Sequence, residues 1–308
     1  MKTTLKIILT IFVLFITILY FTNKNNPLNI RSNYNMMILG LDPRNDALEK
    51  TETTDTIIFA SLNFNNNKLN MISLPRDLWS YSLNNKINQI YPQNINNFDK
   101  IQSLFTDILG QKIDKTIVIT TQNLIDLTSL IGGVDVTLDQ GFKDEKYPNP
   151  EYIKNPIPSI PIYKTIEFPS GKIHLDSSNI TEFVRSRHSS ELAAAGGTDL
   201  GRIKRQQLLI EAIFKKMLNA KYLAKLNQFY RQDLKTNLSY TDLIEISLKL
   251  KKDILSLSLN KIELPIGETA KDGVIYYPNK LTQKQWAFIP SDKDYKSFQE
   301  YIKTAILN

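Results

Sequence analysis

Phe183-Val184-Arg185-Ser186-Arg187, a loop, and then Thr198-Asp199-Leu200-Gly201-Arg202-Ile203-Lys204-Arg205-Gln206-Gln207 form the stretch on which the fold turns. Arg185 and Arg187 are two residues apart, so an extended Phe183–Arg187 segment sends both guanidinium groups to one face. After the loop, Asp199, Arg202 and Gln206 follow helical spacing. Ile203, Ile210, Phe214 and Met217 form a separate apolar stripe that can bury the same helix against a core. A strand end and a helix start would then aim Arg185, Arg187, Arg202, Arg205 and Gln206 at one spot. Arginine forks suit phosphate oxygens, and several together suit a diphosphate. Taken alone, the same arginines fit solvated surface side chains or a nucleic-acid patch equally well.

Working outward, the chain alternates strand and helix signals. Met36–Leu41 is a short apolar run consistent with a buried strand. Ile57–Leu62 and Leu69–Leu74 flank the turn residues Asn65-Asn66-Asn67 and form a hairpin. Phe98, Ile101, Leu104, Phe105, Ile108 and Leu109 fit a helical stripe closed by Gly110. Thr116–Thr120 is β-branched; Asn123–Ile131 reads as a helix stopped by Gly132-Gly133; Val134–Leu138 alternates as a half-buried strand. Tyr147–Pro161, rich in proline and asparagine, reads as an irregular insertion. Further on, a helix near Tyr240–Leu250, strands near Ser256–Leu264 and Gly273–Tyr277, and a helix over Tyr295–Ile306 are expected. This alternation argues for an α/β fold, a three-layer α-β-α sandwich with a mixed central sheet.

The 308 residues are 42% hydrophobic and 22% charged, a globular balance, and the formal net charge of +7 favours acidic partners. The chain has no cysteine, which excludes disulfides, thiolate metal sites and cysteine nucleophiles. Its two histidines, His174 and His188, exclude a multi-histidine metal site and supply a Ser-His-Asp triad poorly. Leu5–Phe21 is apolar except for Lys6, which can snorkel, and is near the minimum length for a bilayer span. No small-residue cleavage site follows it, so residues 1–22 are expected to be a retained N-terminal transmembrane helix, residues 23–33 a polar linker and residues 34–308 the folded domain. Lys2 and Lys6 before the span nearly balance Lys24 and Arg31 after it, so charge leaves the orientation open.

Short motifs recur along the chain: Ile38-Leu39-Gly40-Leu41-Asp42-Pro43-Arg44, Thr54-Asp55-Thr56, Ser73-Leu74-Pro75-Arg76-Asp77, Lys86-Ile87-Asn88, Ile131-Gly132-Gly133-Val134-Asp135-Val136, Phe168-Pro169-Ser170-Gly171, Val184-Arg185-Ser186-Arg187 and Asp199 through Arg205-Gln206. In this order they resemble the LytR-CpsA-Psr family, membrane-anchored enzymes that attach glycopolymers to the bacterial cell wall. The resemblance covers roughly Met36–Met217. Each motif is weak; all of them in family order are specific. Residues 218–308 match less clearly and are expected to complete the same domain.

The resemblance implies a phosphotransferase that moves a phosphoglycosyl chain from an undecaprenyl-pyrophosphate carrier to peptidoglycan or a surface-protein acceptor, with a pyrophosphatase side activity. It implies magnesium, with manganese as a substitute, held by Asp42 and Asp55. The pyrophosphate would be bound by Arg44, Arg76, Lys86, Arg185, Arg187, Arg202, Arg205 and Gln206, with Arg76, Asp77 and Asp199 as catalytic residues. The N-terminus would lie inside, the folded domain outside the cytoplasmic membrane, and no nucleic acid would be a partner. The chemistry agrees: magnesium takes carboxylate oxygens plus substrate phosphates, and phosphoryl transfer needs positioning and charge stabilisation rather than a covalent nucleophile. Without the family pattern, Asp42 and Asp55 read as ordinary turn and strand-edge aspartates.

One departure from the family pattern matters. The family usually has arginine two residues before the second aspartate, where this chain has Thr53, which leaves Arg44 as a candidate substitute for the missing cation. That substitution keeps a second function in view, a non-catalytic polyprenyl-phosphate-binding regulator or a cell-surface scaffold.

Overall fold

The computed structural model describes residues 32–41, 53–186, 198–217, 234–249, 257–278 and 286–307. The chain divides into two units, Met1–Asn33 and Tyr34–Asn308, and the elements of the fold belong to the second apart from Asn33, the first residue of its first strand. The expected anchor, and all of the linker before Ser32, lie outside the described residues. Among the described residues, no helix is long and apolar enough to cross a membrane.

Strand β1 (Asn33–Leu41) alternates half-buried and buried positions, as a strand packed on two unlike faces must. Strands β2 (Thr54–Asn63) and β3 (Lys68–Leu74) form the expected hairpin, in register from Ile57↔Leu74 to Asn63↔Lys68. Its turn is set by asparagines. The Asn63 side chain accepts the Asn65 N–H at 2.9 Å, and Asn67 takes a left-handed φ of 51°, which asparagine tolerates better than most residues. The hairpin is followed by a small two-strand ribbon, β4 (Trp79–Ser80) and β5 (Asn85–Lys86). Strand β6 (Lys115–Thr120) runs parallel to β1. The main sheet is completed by β11 (Lys235–Thr236), antiparallel to β6, and β12 (Ser258–Ile262), parallel to β3. Its order is β11-β6-β1-β2-β3-β12, a mixed sheet in an α/β fold.

Strand alternation divides the core between the two faces of this sheet. Met37, Leu39, Ile57, Phe59, Ile72 and Leu74 pack against helix α1 (Phe98–Leu109) and helix α7 (Lys296–Leu307). Ile58, Ala60, Leu62 and Met71 face the other way, against Ile210 and against Ile246 of helix α6 (Tyr240–Lys249). Helix α1 follows its sequence signals. Asn97 caps it by accepting the Lys100 N–H at 3.1 Å, and Gly110 ends it at a φ of 64°.

A second cluster is built from β7 (Val134–Leu138), β8 (Phe142–Pro148), β9 (Tyr163–Phe168) and β10 (Gly171–Leu175), packed on helices α2 (Thr121–Leu130), α4 (Ile180–Arg185) and α5 (Thr198–Met217). The reversal from α2 into β7 needs Gly133. At a φ of 73°, an added Cβ would lie 2.2 Å from His174 Nε2.

Two segments differ from expectation. Phe183–Arg185 is not extended; it is the end of α4. Ile180, Phe183 and Val184 are buried at a spacing of three and four, a helical period, and that burial outweighs the alternating Arg-Ser-Arg pattern. The Tyr147–Pro161 segment is not irregular throughout. Tyr147 and Pro148 belong to the β8–β9 hairpin, and Pro150–Lys154 is a short helix, α3, whose first turn is capped by Asn149 accepting from the Glu151 N–H at 3.1 Å.

Candidate functional site

The site lies where β1 and β6, running parallel, end beside the start of β2. Open α/β sheets bind ligands at the carboxyl ends of such strands. A narrow cavity of about 50 Å³ opens there. Its apolar wall comes from Ile38, Ile119, Leu124, Val184, Leu209 and Ile210, and its polar end from Asp55, Thr56, Arg185, Arg202 and Gln206. Strand geometry explains the selection. Ile38 and Gly40 face the cavity, while the alternating Met37 and Leu39 face α1. Helix α1 is therefore not a wall of this cavity; it covers the opposite face of the sheet. Helix α5 is a wall, through Arg202, Gln206, Leu209 and Ile210. Of the stripe expected on α5, Ile210 packs on the sheet, whereas the side chains of Ile203, Phe214 and Met217 lie outside the described ones.

Asp55 is the hub of the polar end. It is buried, 7% exposed, near the first residue of β2. Arg76, just past the end of β3, donates Nη1 to Asp55 Oδ1 at 2.6 Å. The Arg202 Nη1 is 3.6 Å from the other oxygen. Hairpin pairing is what brings Arg76 and Asp55 together, since the end of β3 lies beside the start of β2. The Thr53 hydroxyl reaches Asp55 Oδ1 at 3.4 Å. Thr53 thus gives Asp55 a neutral contact, and Arg76 and Arg202 match its charge.

Two residues escaped sequence reasoning. The Thr56 hydroxyl donates to Gln206 Oε1 at 2.6 Å, fixing the α5 glutamine over β2. Gly40 makes room for Thr56, because a Cβ at position 40 would meet the Thr56 Cβ at 2.7 Å. The Thr54-Asp55-Thr56 motif contained the first signal, and Gly40 stood in a motif with no role attached.

Arg76 also connects outward. Its Nε is 3.5 Å from Asp77 Oδ2, and Lys86 Nζ is 2.8 Å from Asp77 Oδ1. Arg76, Asp77 and Lys86, from two separate motifs, thus form a partly exposed chain of alternating charge leading from Asp55. Asp42, Arg44 and Arg187 lie outside the described residues, and of Asp199 only its place in the first turn of α5 is described. Among the described residues, no three acidic or histidine side chains gather as a metal cluster. His174 bonds Asp135 at 2.7 Å on an exposed strand pair, and His188 is not among the described residues.

Arg205 does not join this group. It is 2% exposed, and its Nε donates to the Phe183 carbonyl at 2.8 Å while Nη2 donates to the Ser186 carbonyl. Its guanidinium lies 4.3 Å from the Phe142 ring centroid. Burial pushes its pKa down to about 10, with Arg202 adding to the fall and Asp144 opposing it. Asp144 is wholly buried and accepts the Ser186 hydroxyl at 2.7 Å. With Nε and Nη2 engaged by carbonyls and its plane over Phe142, Arg205 ties α5 to the end of α4 and to β8, away from the Asp55 group.

A buried carboxylate flanked by two guanidinium groups lies at the mouth of a small apolar slot, where guanidinium forks can meet an anion beside apolar side chains. Residues 20–288 match the LytR_cpsA_psr family, and the chain belongs to it. A polyisoprenyl-teichoic acid–peptidoglycan teichoic acid transferase, TagU, of Bacillus cereus is 27% identical over 263 residues, covering 83% of this chain and 74% of its own. Among solved structures, Bacillus subtilis TagV aligns with a TM-score of 0.61 at 18% identity, covering 90% of this chain and 98% of its own. TagT bound to LIIa-WTA aligns with a TM-score of 0.58 at 17% identity, covering 90% and 92%. The two structural likenesses concern the fold.

Proposed function

We propose that this chain is a membrane-anchored phosphotransferase that moves a phosphoglycosyl polymer from an undecaprenyl-pyrophosphate carrier to peptidoglycan or another surface acceptor. The observation that carries the reading is the Asp55–Arg76–Arg202 cluster at the mouth of the apolar cavity. The TagU relative, named for transferring teichoic acid from a polyisoprenyl-linked form to peptidoglycan, supports the same donor and acceptor classes. The anchor would be residues 1–22, with the N-terminus inside and residues 34–308 outside the cytoplasmic membrane.

In this reading the diphosphate sits at Arg76, Arg185 and Arg202, and the first isoprene units enter between Ile38, Leu209 and Ile210. The narrow slot must widen for a longer tail. An acceptor hydroxyl attacks the phosphorus attached to the glycan. A new phosphorus–oxygen bond forms, the bond to the carrier phosphate breaks, and polyprenyl phosphate leaves. The guanidinium groups of Arg76 and Arg202 stabilise the charge that gathers on the phosphate oxygens. Asp77, oriented by Lys86, is placed beside Arg76 to take the hydroxyl proton. Asp55 offers carboxylate oxygens of the kind magnesium requires; with Asp42 it would hold the ion, which when bound neutralises phosphate charge.

The test is transfer by the purified full-length chain from a lipid-pyrophosphate-linked glycan to peptidoglycan, with magnesium present. Transfer that disappears in Asp55→Ala and in Arg202→Ala supports the reading. Glycan binding without turnover in the unaltered chain would favour the non-catalytic regulator to which Thr53 points.

A further inference from the structure

The β8–β9 hairpin ends in a tip that presents large apolar side chains to solvent. Ile153 is 51% exposed, Ile157 41%, Ile162 54% and Tyr163 52%. Single exposed hydrophobics are ordinary; four within eleven residues of one loop are not. The tip is also built rather than loose. Asn149 is buried and organises it. Its side chain accepts from Glu151 N–H at 3.1 Å and donates to the Pro161 carbonyl at 2.9 Å, and its own N–H donates to the Ile162 carbonyl at 3.0 Å. Pro150, Pro156, Pro158 and Pro161 restrict the backbone between these bonds.

The charge of the tip matches its apolar face. Residues 149–163 contain one acid, Glu151, and one base, Lys154, and Glu145 and Lys146 are both exposed on the strand behind, so the tip and its margin carry no net charge. An apolar loop without net charge suits the headgroup boundary of a bilayer, where apolar groups enter and the Lys154 and Lys146 stems can snorkel. The hairpin is held to the helix that carries Arg185: Lys164 pairs with Glu182, and Asp144 accepts from Ser186, next after Arg185. The chain outside the described fold bears on the occupant. Residues 22–31, fully extended, span at most about 36 Å, so an anchor ending at Phe21 would be a short tether to a bilayer.

We propose that the 150–163 tip is a membrane-docking wedge that inserts Ile153, Ile157, Ile162 and Tyr163 into the lipid interface, holding the Arg185 end of the site near the surface from which a polyprenyl donor must be drawn. The proposal rests on the anchored, lipid-substrate reading given above.

The absence of cysteine makes the test direct. The full-length chain carrying Ile157→Cys, or Lys154→Cys, is labelled with an environment-sensitive dye and reconstituted into phosphatidylglycerol–phosphatidylcholine vesicles. Lys271→Cys, on an exposed turn, is the reference. Both tip labels should be quenched by nitroxide-bearing lipids and protected from aqueous iodide, the Lys271→Cys label the reverse. Adding Ile153→Ser, Ile157→Ser and Ile162→Ser to the Lys154→Cys chain should abolish most of the lipid quenching. This separates insertion by the tip from insertion by the dye. Tip labels as open to iodide as Lys271→Cys, in a chain that floats with the vesicles, overturn the wedge and leave the anchor reading standing. A chain that does not float with vesicles at all overturns the anchor reading and the wedge with it.

Discussion

Arg202 and Arg205 stand three residues apart on one helix, are each 2% exposed, and do different things. Arg205 directs Nε and Nη2 to the Phe183 and Ser186 carbonyls and lies over Phe142, with buried Asp144 nearby. Arg202 faces the cavity and a carboxylate that Arg76 also holds. Burial alone does not mark a functional arginine. Carbonyl partners lock a guanidinium in place, whereas a shared carboxylate at the mouth of a cavity leaves room for a second anion. The first region is a joint between elements; the second is the one proposed above as a place for ligand.

The sharpest way to break this contrast is to remove each arginine and measure both stability and turnover. Arg202→Ala should lower transfer roughly 100- to 1000-fold, the scale of losing one donor to a developing oxyanion, with a smaller effect on the melting temperature because Arg76 still holds Asp55. Arg205→Ala should destabilise the fold by about 3 kcal/mol, since it strands buried carbonyls and the Asp144 carboxylate; denaturant unfolding checks this. Equal losses of stability in the two variants would erase the distinction.

Gly40→Ala should cost about 1–3 kcal/mol, because the new methyl overlaps Thr56 at 2.7 Å. It should also loosen the Thr56–Gln206 bond, so turnover should fall more than thermal stability accounts for. The smallest effect belongs far from the site. Burial raises the Asp242 pKa, but bonds from Lys115 and Ser239 outweigh it and leave the carboxyl below its usual range. A depressed folded-state pKa contributes stability above the unfolded value, near 4, that is lost as pH falls through the folded one. Lys115→Ala should therefore shrink the acid-side loss of stability, and only slightly, because the Ser239 N–H and hydroxyl still bond the carboxylate. Melting curves from pH 6 down to pH 2 would show it.

Much of the scaffold was legible in the sequence because its signals are local. The Asn65-Asn66-Asn67 turn between two apolar runs, and the stripe from Phe98 to Leu109 closed by Gly110, each specify an element without help from elsewhere. Helix α4 was misread because two arginines spaced by two suggested a strand, while burial of Ile180, Phe183 and Val184 decides the local period. The roles of Arg202 and Arg205 were not separable. Their spacing places them on neighbouring flanks of one helix, and their partners, Asp55 and the Phe183 carbonyl, lie far away in sequence. The side of the sheet that holds the cavity was likewise hidden, since α1 and α5 both carry apolar residues and only strand alternation tells which one faces Gly40.

The diphosphate site proposed at Asp55, Arg76 and Arg202, at the mouth of an apolar slot, is tested most directly by the melting temperature of the full-length chain with geranylgeranyl pyrophosphate and magnesium. Ligand at 100 times its dissociation constant adds about 2.7 kcal/mol to the folded state. A clear rise is expected in the unaltered chain, lost when the uncharged alcohol geranylgeraniol replaces the pyrophosphate and nearly absent in Arg202→Ala. An equal rise in Arg202→Ala, or the same rise with the alcohol, would contradict the site.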